Sequence, residues 1–164
     1  MSAFPSGVAV ITTYGPDGLP RGLTCSSLAS VTSEPPTLSV CLTSSGETLR
    51  ALRTHGSFAV NLLHDGGQEA AEVFARPVPD RFDRVAWCPT PGAGLPRLVN
   101  DAFTTADCRV SDLIEVGDHT MVLGEVTGVV QESGTPLLYG SRRFAQWPGG
   151  AVPGTRPAPE GVAS

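Results

Sequence analysis

The chain has 164 residues, 40% of them hydrophobic and 16% charged, with 11 basic against 16 acidic groups and a net charge of −5. That length suits one domain with its own core, and the balance excludes a disordered chain and a duplex nucleic-acid binder, which needs clustered positive charge. All 11 basic residues are arginine, which also excludes lysine Schiff-base chemistry and a Walker-type phosphate lysine.

No apolar run approaches the roughly 20 residues that span a bilayer. Met1-Ser2-Ala3-Phe4-Pro5 lacks the basic and apolar regions of a signal peptide, so the expected setting is cytoplasmic, with no membrane partner. Cys25, Cys41, Cys88 and Cys108 form no C-x-x-C pair and have no histidine at ligand spacing. They read as small, mostly buried hydrophobes, and no metal site is expected.

Nineteen glycines and fifteen prolines cut the chain into short pieces, most of which read as strands. Gly7–Tyr14 is rich in β-branched residues and ends at the turn signal Gly15-Pro16-Asp17-Gly18. A second strand from Arg21 to Leu28 completes a hairpin. After Pro35-Pro36, Thr37–Leu42 alternates polar and apolar residues as a half-buried strand does. Ser44 with Glu47 forms a candidate capping box for a helix that presents Leu49 and Leu52 and closes at Gly56. Ser57–Leu63 reads as a strand. A second helix is expected from about Asp65, with Gln68 at the capping-box position, through Ala70, Val73 and Phe74.

Residues 76–104 read as a long, proline-rich loop with one short helical turn. Three further strands are expected near Ala106–Val110, His119–Val130 and Pro136–Tyr139. The domain then spans 1–147, and the Pro/Gly-rich residues 148–164 read as a disordered tail. Six or seven strands, two short helices and no β-α-β alternation predict a mainly β, antiparallel barrel. The missing G-x-G-x-x-G places no nucleotide in a Rossmann crevice.

Four stretches carry candidate chemistry. Thr24-Cys25-Ser26-Ser27, continuing to Ser30-Val31, offers hydroxyls to a flat, heteroatom-rich ring without adding charge; the same pattern suits a solvated surface strand. Thr43-Ser44-Ser45-Gly46-Glu47-Thr48 combines hydroxyls with a helix start, an arrangement that binds phosphate or simply caps the helix. Arg76, Arg81 and Arg84 lie beside Phe74 and Phe82, where arginine clamps phosphate, stacks on a ring or merely faces solvent. Gly117-Asp118-His119 opens an alternating strand, and a histidine there can orient a ligand. No G-x-S-x-G elbow marks a hydrolase, and no spaced carboxylate pair marks a glycosidase.

In order along the chain, these stretches resemble the flavin reductase family, the small reductase components of two-component flavin-dependent monooxygenases. The resemblance rests on Phe4–Thr13, Gly22–Thr32 with Pro35-Pro36, Phe58–Leu63, Phe74-Ala75 with Asp80-Arg81-Phe82, Leu95–Leu98, Cys108–Val110, Gly117–Thr120 and Gly124–Val126. It implies an FMN-binding split barrel, usually a homodimer, that transfers hydride from NADH or NADPH to FMN or FAD. The reduced flavin then passes to a separate monooxygenase. It further implies that Thr24, Cys25, Ser26, Ser27, Ser30 and Val31 contact the isoalloxazine edge. Ser44, Ser45 and Thr48 would hold the phosphate end, Phe74, Ala75, Arg81 and Phe82 would flank the flavin tail, and His119 would stand at the nicotinamide. The acidic balance leans toward NADH. Two other readings are a split-barrel FMN oxidase of the pyridoxamine-phosphate type and a non-catalytic module that binds or shuttles flavin.

Overall fold

The β-branched and alternating segments build a mainly β, antiparallel molecule, and the computed structural model describes residues 4–154. In chain order it contains β1 (Ser6–Gly7), β2 (Ala9–Tyr14), β3 (Pro20–Cys25), β4 (Ala29–Ser33), β5 (Pro36–Thr43) and α1 (Glu47–His55). β6 (Ser57–Leu63), α2 (Gln68–Ala75), a 3-10 turn (Arg81–Asp83), β7 (Trp87–Pro89) and β8 (Pro96–Leu98) follow. β9 (Ala102–Val116), β10 (His119–Gln131), β11 (Leu137–Gly140) and β12 (Arg143–Gln146) complete it. None of the described helices is long and apolar enough to cross a membrane.

Seven strands form one sheet in the order β3-β2-β6-β9-β10-β5-β4. β3 and β4, consecutive in sequence, are its two opposite edges. If the sheet were flat, its six gaps of about 4.8 Å would separate those edges by about 29 Å. The four Cα steps from Cys25 to Ala29 reach at most about 15 Å. The sheet therefore curls until its edges approach, which is the split barrel expected from the sequence. Ser27 fastens the seam. Its hydroxyl donates to Cys41 O at 3.1 Å and accepts the Cys41 N–H at 2.9 Å, joining the end of β3 to β5.

Burial follows strand alternation on both faces of the central strands. Ala9 and Ile11 of β2 point into the barrel with Val40, Leu42, Phe58, Val60, Cys108 and Val122, and Leu49 and Leu52 of α1 plug that core. Val8 and Val10 point the other way, toward Ala70, Ala71 and Phe74 of α2 and Leu98 of β8. Gly124 lets the Phe58 ring pack directly against β10, because a Cβ there would lie 2.4 Å from that ring.

Neither helix begins with the predicted capping box. α1 starts after Gly46 and α2 after Gly67, and no side chain caps either end. Ser44 is diverted because its hydroxyl meets Thr120 at 3.0 Å, and Gln68 donates to Glu72 at 2.9 Å instead of folding back. The second strand stops at Cys25, and Ala29–Ser33 is a separate edge strand. The stretch read as a loop over 76–104 contains the expected helical turn, the β7–β8 hairpin and the first residues of β9. Three-residue strands, one ending and one starting in proline, carry no readable alternation, and long-range partners hold this hairpin in place. Asp107 accepts the Thr90 hydroxyl at 2.8 Å and the Ala93 N–H at 3.1 Å. Within the stretch read as a tail, Val152 bridges to Gly134; residues 155–164 lie outside the described ones.

Asn61 is the fully buried hub between sheet and hairpin. Its Nδ2 lies 3.2 Å from Val10 O, 3.1 Å from Thr12 Oγ1 and 3.3 Å from Pro96 O. Its Oδ1 accepts Leu98 N–H at 3.0 Å and the Thr105 hydroxyl at 3.1 Å. Truncation leaves several buried polar groups without partners. Asn61→Ala is expected to lower the unfolding free energy by about 3 kcal/mol in a urea titration, with the slope unchanged.

Candidate active site

The curled sheet leaves a cleft of about 1180 Å³ between the β3–β5 seam, the start of α1 and the segment after α2. This exceeds the ~300–1,000 Å³ of an ordinary small-molecule pocket, which leaves space for two ring systems. Thr24, Cys25, Ser26 and Ser27 line one wall, Thr48 and Glu47 the helix start, Phe74, Ala75 and Arg81 the adjoining wall, and His119 the rim. Nine of the fourteen residues singled out in the sequence thus meet in one place: all of those just named except Glu47.

The other five do not line this cleft. Ser30 and Val31 sit on β4, whose residues are all exposed. Ser45 is exposed in the turn before α1, while Ser44 is committed to Thr120 and Glu115. Phe82 lies behind the wall, edge-on to Phe74 at 5.0 Å and to Trp87 at 5.7 Å.

The hydroxyl-bearing strand is part support and part surface. Thr24 donates to Ala71 O at 2.6 Å, tying β3 to α2, and Ser27 holds the seam. Beyond Cys25, the last residue paired with β2, Ser26–Leu28 belongs to no strand, and Ser26 and Ser27 border the cleft. Gly22 must be glycine for this wall to close, since a Cβ would lie 2.9 Å from the Phe74 ring.

At the start of α1 the first N–H groups have no capping side chain, so they present the positive end of the helix dipole to the cleft. Thr48, only 4% exposed, adds its side chain at that end. Glu47 would oppose an anion there, but Arg21 answers its charge: Nε donates to Glu47 Oε1 at 2.7 Å while Nη2 pairs with Asp17 at 2.6 Å. Across the cleft Arg81 is tied to carbonyls, with Nε donating to Arg76 O at 2.8 Å and Nη1 to Gly22 O at 2.7 Å. Arg81 makes no ion pair among the described residues, and burial holds its pKa below the usual arginine value. The result is a fixed cation with its charge available to a ligand.

On the rim, His119 Nδ1 lies 2.7 Å from Asp118 Oδ1. The Asp118 pKa is lowered, chiefly by that hydrogen bond, so the ionised carboxylate is an acceptor and Nδ1 must be the donor. Nε2 is left without a partner among the described residues and faces outward as the ring's ligand-binding atom. Thr43, Gly46 and Glu47, from the stretch read as a helix start, also line the cleft, whereas Leu23, Cys41, Leu42 and Pro77-Val78-Pro79 line it and were not singled out. The apolar alternation of β5 was visible, but nothing local marks Pro77–Pro79 as a wall.

An uncapped helix start, an unpaired cation and an uncharged, heteroatom-lined wall fit a flat ring carrying a phosphate. A family model described as "Flavin reductase like domain" matches residues 1–148. The chain belongs to the flavin reductase family. A relative from Lentzea aerocolonigenes, "Flavin reductase (NADPH)", is 54% identical over 147 residues, covering 90% of this chain and 86% of its own. The NADH:FAD oxidoreductase of Streptomyces globisporus C-1027, solved with NAD and FAD fragments, superposes with a TM-score of 0.83 at 33% identity, covering 89% and 87% of the two chains. The styrene monooxygenase flavin reductase of Pseudomonas putida S12 matches with a TM-score of 0.81 at 30% identity, covering 90% and 94%.

For a member of this family the cysteines are telling. Burial raises the Cys25 pKa despite its hydrogen bonding with Ser27, and burial beside Asp107 pushes Cys108 up to about 12. Both remain neutral thiols rather than nucleophiles. Because the folded-state values exceed those of the unfolded chain, their contribution to stability is complete below the unfolded thiol pKa of about 8.5 and is lost as pH rises toward the folded values. Iodoacetamide on the native protein at neutral pH is expected to leave Cys25 and Cys108 unmodified by mass spectrometry. Unfolding free energy should decline on the alkaline side.

Proposed function

We propose that the chain is an NAD(P)H-dependent flavin reductase whose flavin, FMN or FAD, occupies the cleft along Thr24–Ser27 with its phosphate at the start of α1. The observation that carries this reading is the convergence of the hydroxyl-lined wall, the uncapped helix start and His119 on one cleft. When both are bound, the nicotinamide supplies a hydride and the flavin accepts it. The protein's task is then to hold two rings face to face at roughly 3–3.5 Å and to keep water out.

Each part of the chain has a share in that task. The backbone beyond Cys25 offers donors and acceptors to the ring edge, and the neutral Cys25 thiol keeps negative charge away from it. The N–H groups at the start of α1, Thr48 and Arg81 hold the phosphate. Leu23 and Pro77-Val78-Pro79 supply apolar cover. His119 orients the nicotinamide carboxamide through its free nitrogen and transfers no proton. No nucleophile or acid–base pair is required, in keeping with the neutral thiols.

The name of the styrene monooxygenase flavin reductase supports a further step, in which the reduced flavin leaves for a separate monooxygenase. The open edge β4, with Val31 52% exposed, supports pairing with a second copy as a homodimer. We place the enzyme in the cytoplasm.

Aerobic oxidation of NADH or NADPH by the purified protein is expected to depend on added FMN or FAD and to saturate with it. Flavin binding without nicotinamide oxidation would overturn the reading in favour of a binding module. His119→Ala is expected to raise the KM for NADH roughly tenfold, a loss of about 1.4 kcal/mol, with flavin affinity unchanged. FMN should bind more tightly than riboflavin, and Arg81→Ala should narrow that difference.

A further inference from the structure

Strand alternation puts His119 and Thr120, the first two residues of β10, on opposite faces. His119 borders the cleft, whereas Thr120 is fully buried at 0% exposure. A buried hydroxyl needs partners, and Thr120 has three. Its Oγ1 donates to Glu115 Oε2 at 2.9 Å, lies 3.0 Å from Ser44 Oγ and accepts from Arg53 Nη2 at 3.2 Å. The ring of contacts closes outside it: Arg53 pairs with Glu115 Oε1, and Ser44 Oγ lies 3.3 Å from Glu115 Oε2.

The main chain continues the same clasp. Ser44 N–H donates to Asp118 O at 2.9 Å, and Thr43 is the register partner of His119. Four segments therefore meet around the turn that carries Asp118 and His119: the loop before α1, α1 itself, the end of β9 and the start of β10. The side chains of Glu115 and Arg53 are 58% and 42% exposed, and such ion pairs add little stability by themselves. None of Ser44, Arg53, Glu115 and Thr120 lines the cleft. The consequence of the cluster is geometric.

We propose that Thr120, Glu115, Arg53 and Ser44 are positioning residues of the reductase, fixing the β9–β10 turn so that His119 meets the nicotinamide while leaving flavin binding untouched. This rests on the reading of His119 given above. It also reassigns Ser44: the hydroxyl serves the turn, and phosphate binding at α1 falls to Thr48 and the backbone.

The test uses Thr120→Val, which keeps the shape and removes the hydroxyl, and Glu115→Gln, which alters an exposed position that the fold tolerates. Three quantities are read: the KM for NADH, the Kd for FMN by fluorescence, and the His119 ring resonance in the ligand-free protein. Thr120→Val is expected to raise the KM for NADH roughly tenfold through misplacement of His119, with Glu115→Gln in the same direction. The Kd for FMN should stay constant. The His119 resonance should move while that of His64 does not, and Thr120→Ser should restore both readouts. In a His119→Ala background the same substitutions should add nothing. An unmoved His119 resonance with unchanged KM in both variants, or effects that add to those of His119→Ala, would overturn the proposal. An unchanged KM in His119→Ala alone would instead overturn the reading of His119, a failure separable from the first because the resonance is measured without ligand.

Discussion

The seam between β3 and β5 is the constraint on which the rest depends. A chain that must pass from one edge of a seven-stranded sheet to the other within residues 26–28 cannot leave that sheet flat. Curling brings Ser27 to Cys41, and its one hydroxyl both donates to and accepts from the Cys41 backbone across the gap. The same curl opens the cleft, because the backbone that crosses the gap lies outside the ladder. Support and recognition are thus combined in Thr24–Ser27: Thr24 and Ser27 direct their hydroxyls to Ala71 and Cys41, and the backbone and the Ser26 side chain remain for a ligand.

The charges are arranged on the same economy. A chain with net charge −5 must bind anionic nucleotides, and it does so by pairing the acids at and around the site, Glu47 included, rather than by accumulating cations. Arg21 holds Asp17 and Glu47, and Arg53 holds Glu115. That leaves the end of the α1 dipole and the carbonyl-tethered Arg81 as the positive features facing the cleft. The buried thiols of Cys25 and Cys108 stay neutral and add no negative charge to the interior.

Much of this was legible in the sequence. β-branched runs and glycine turns gave β2, β5, β6 and the β9–β10 ribbon, and their antiparallel closure followed from the lack of β-α-β alternation. The helix start before Thr48 was readable, though the assumed cap, Ser44, turned out to face Thr120 and Glu115. A capping box is a local pattern, and local patterns lose to a buried hydroxyl that needs a partner from a distant strand. The β7–β8 hairpin was unreadable for a related reason: Asn61 and Asp107, far away in sequence, hold it. Ser30 and Val31 lie apart from the cleft because the strand breaks at Ser26 and a new edge strand begins at Ala29, a boundary that hydroxyl-rich residues do not mark. The Pro77–Pro79 wall has no local signal and follows only from where α2 ends.

The central claim is that hydride passes directly between two rings that the protein merely holds. It is tested most directly by mixing the FMN-loaded protein anaerobically with NADH deuterated at the transferring C4 position and following loss of the flavin's visible absorbance. The account predicts loss of that absorbance in a single enzyme-bound turnover, slower with the deuterated than with the protiated coenzyme, and deuterium lost from the oxidised coenzyme. Persistence of flavin absorbance under excess NADH and NADPH would contradict it.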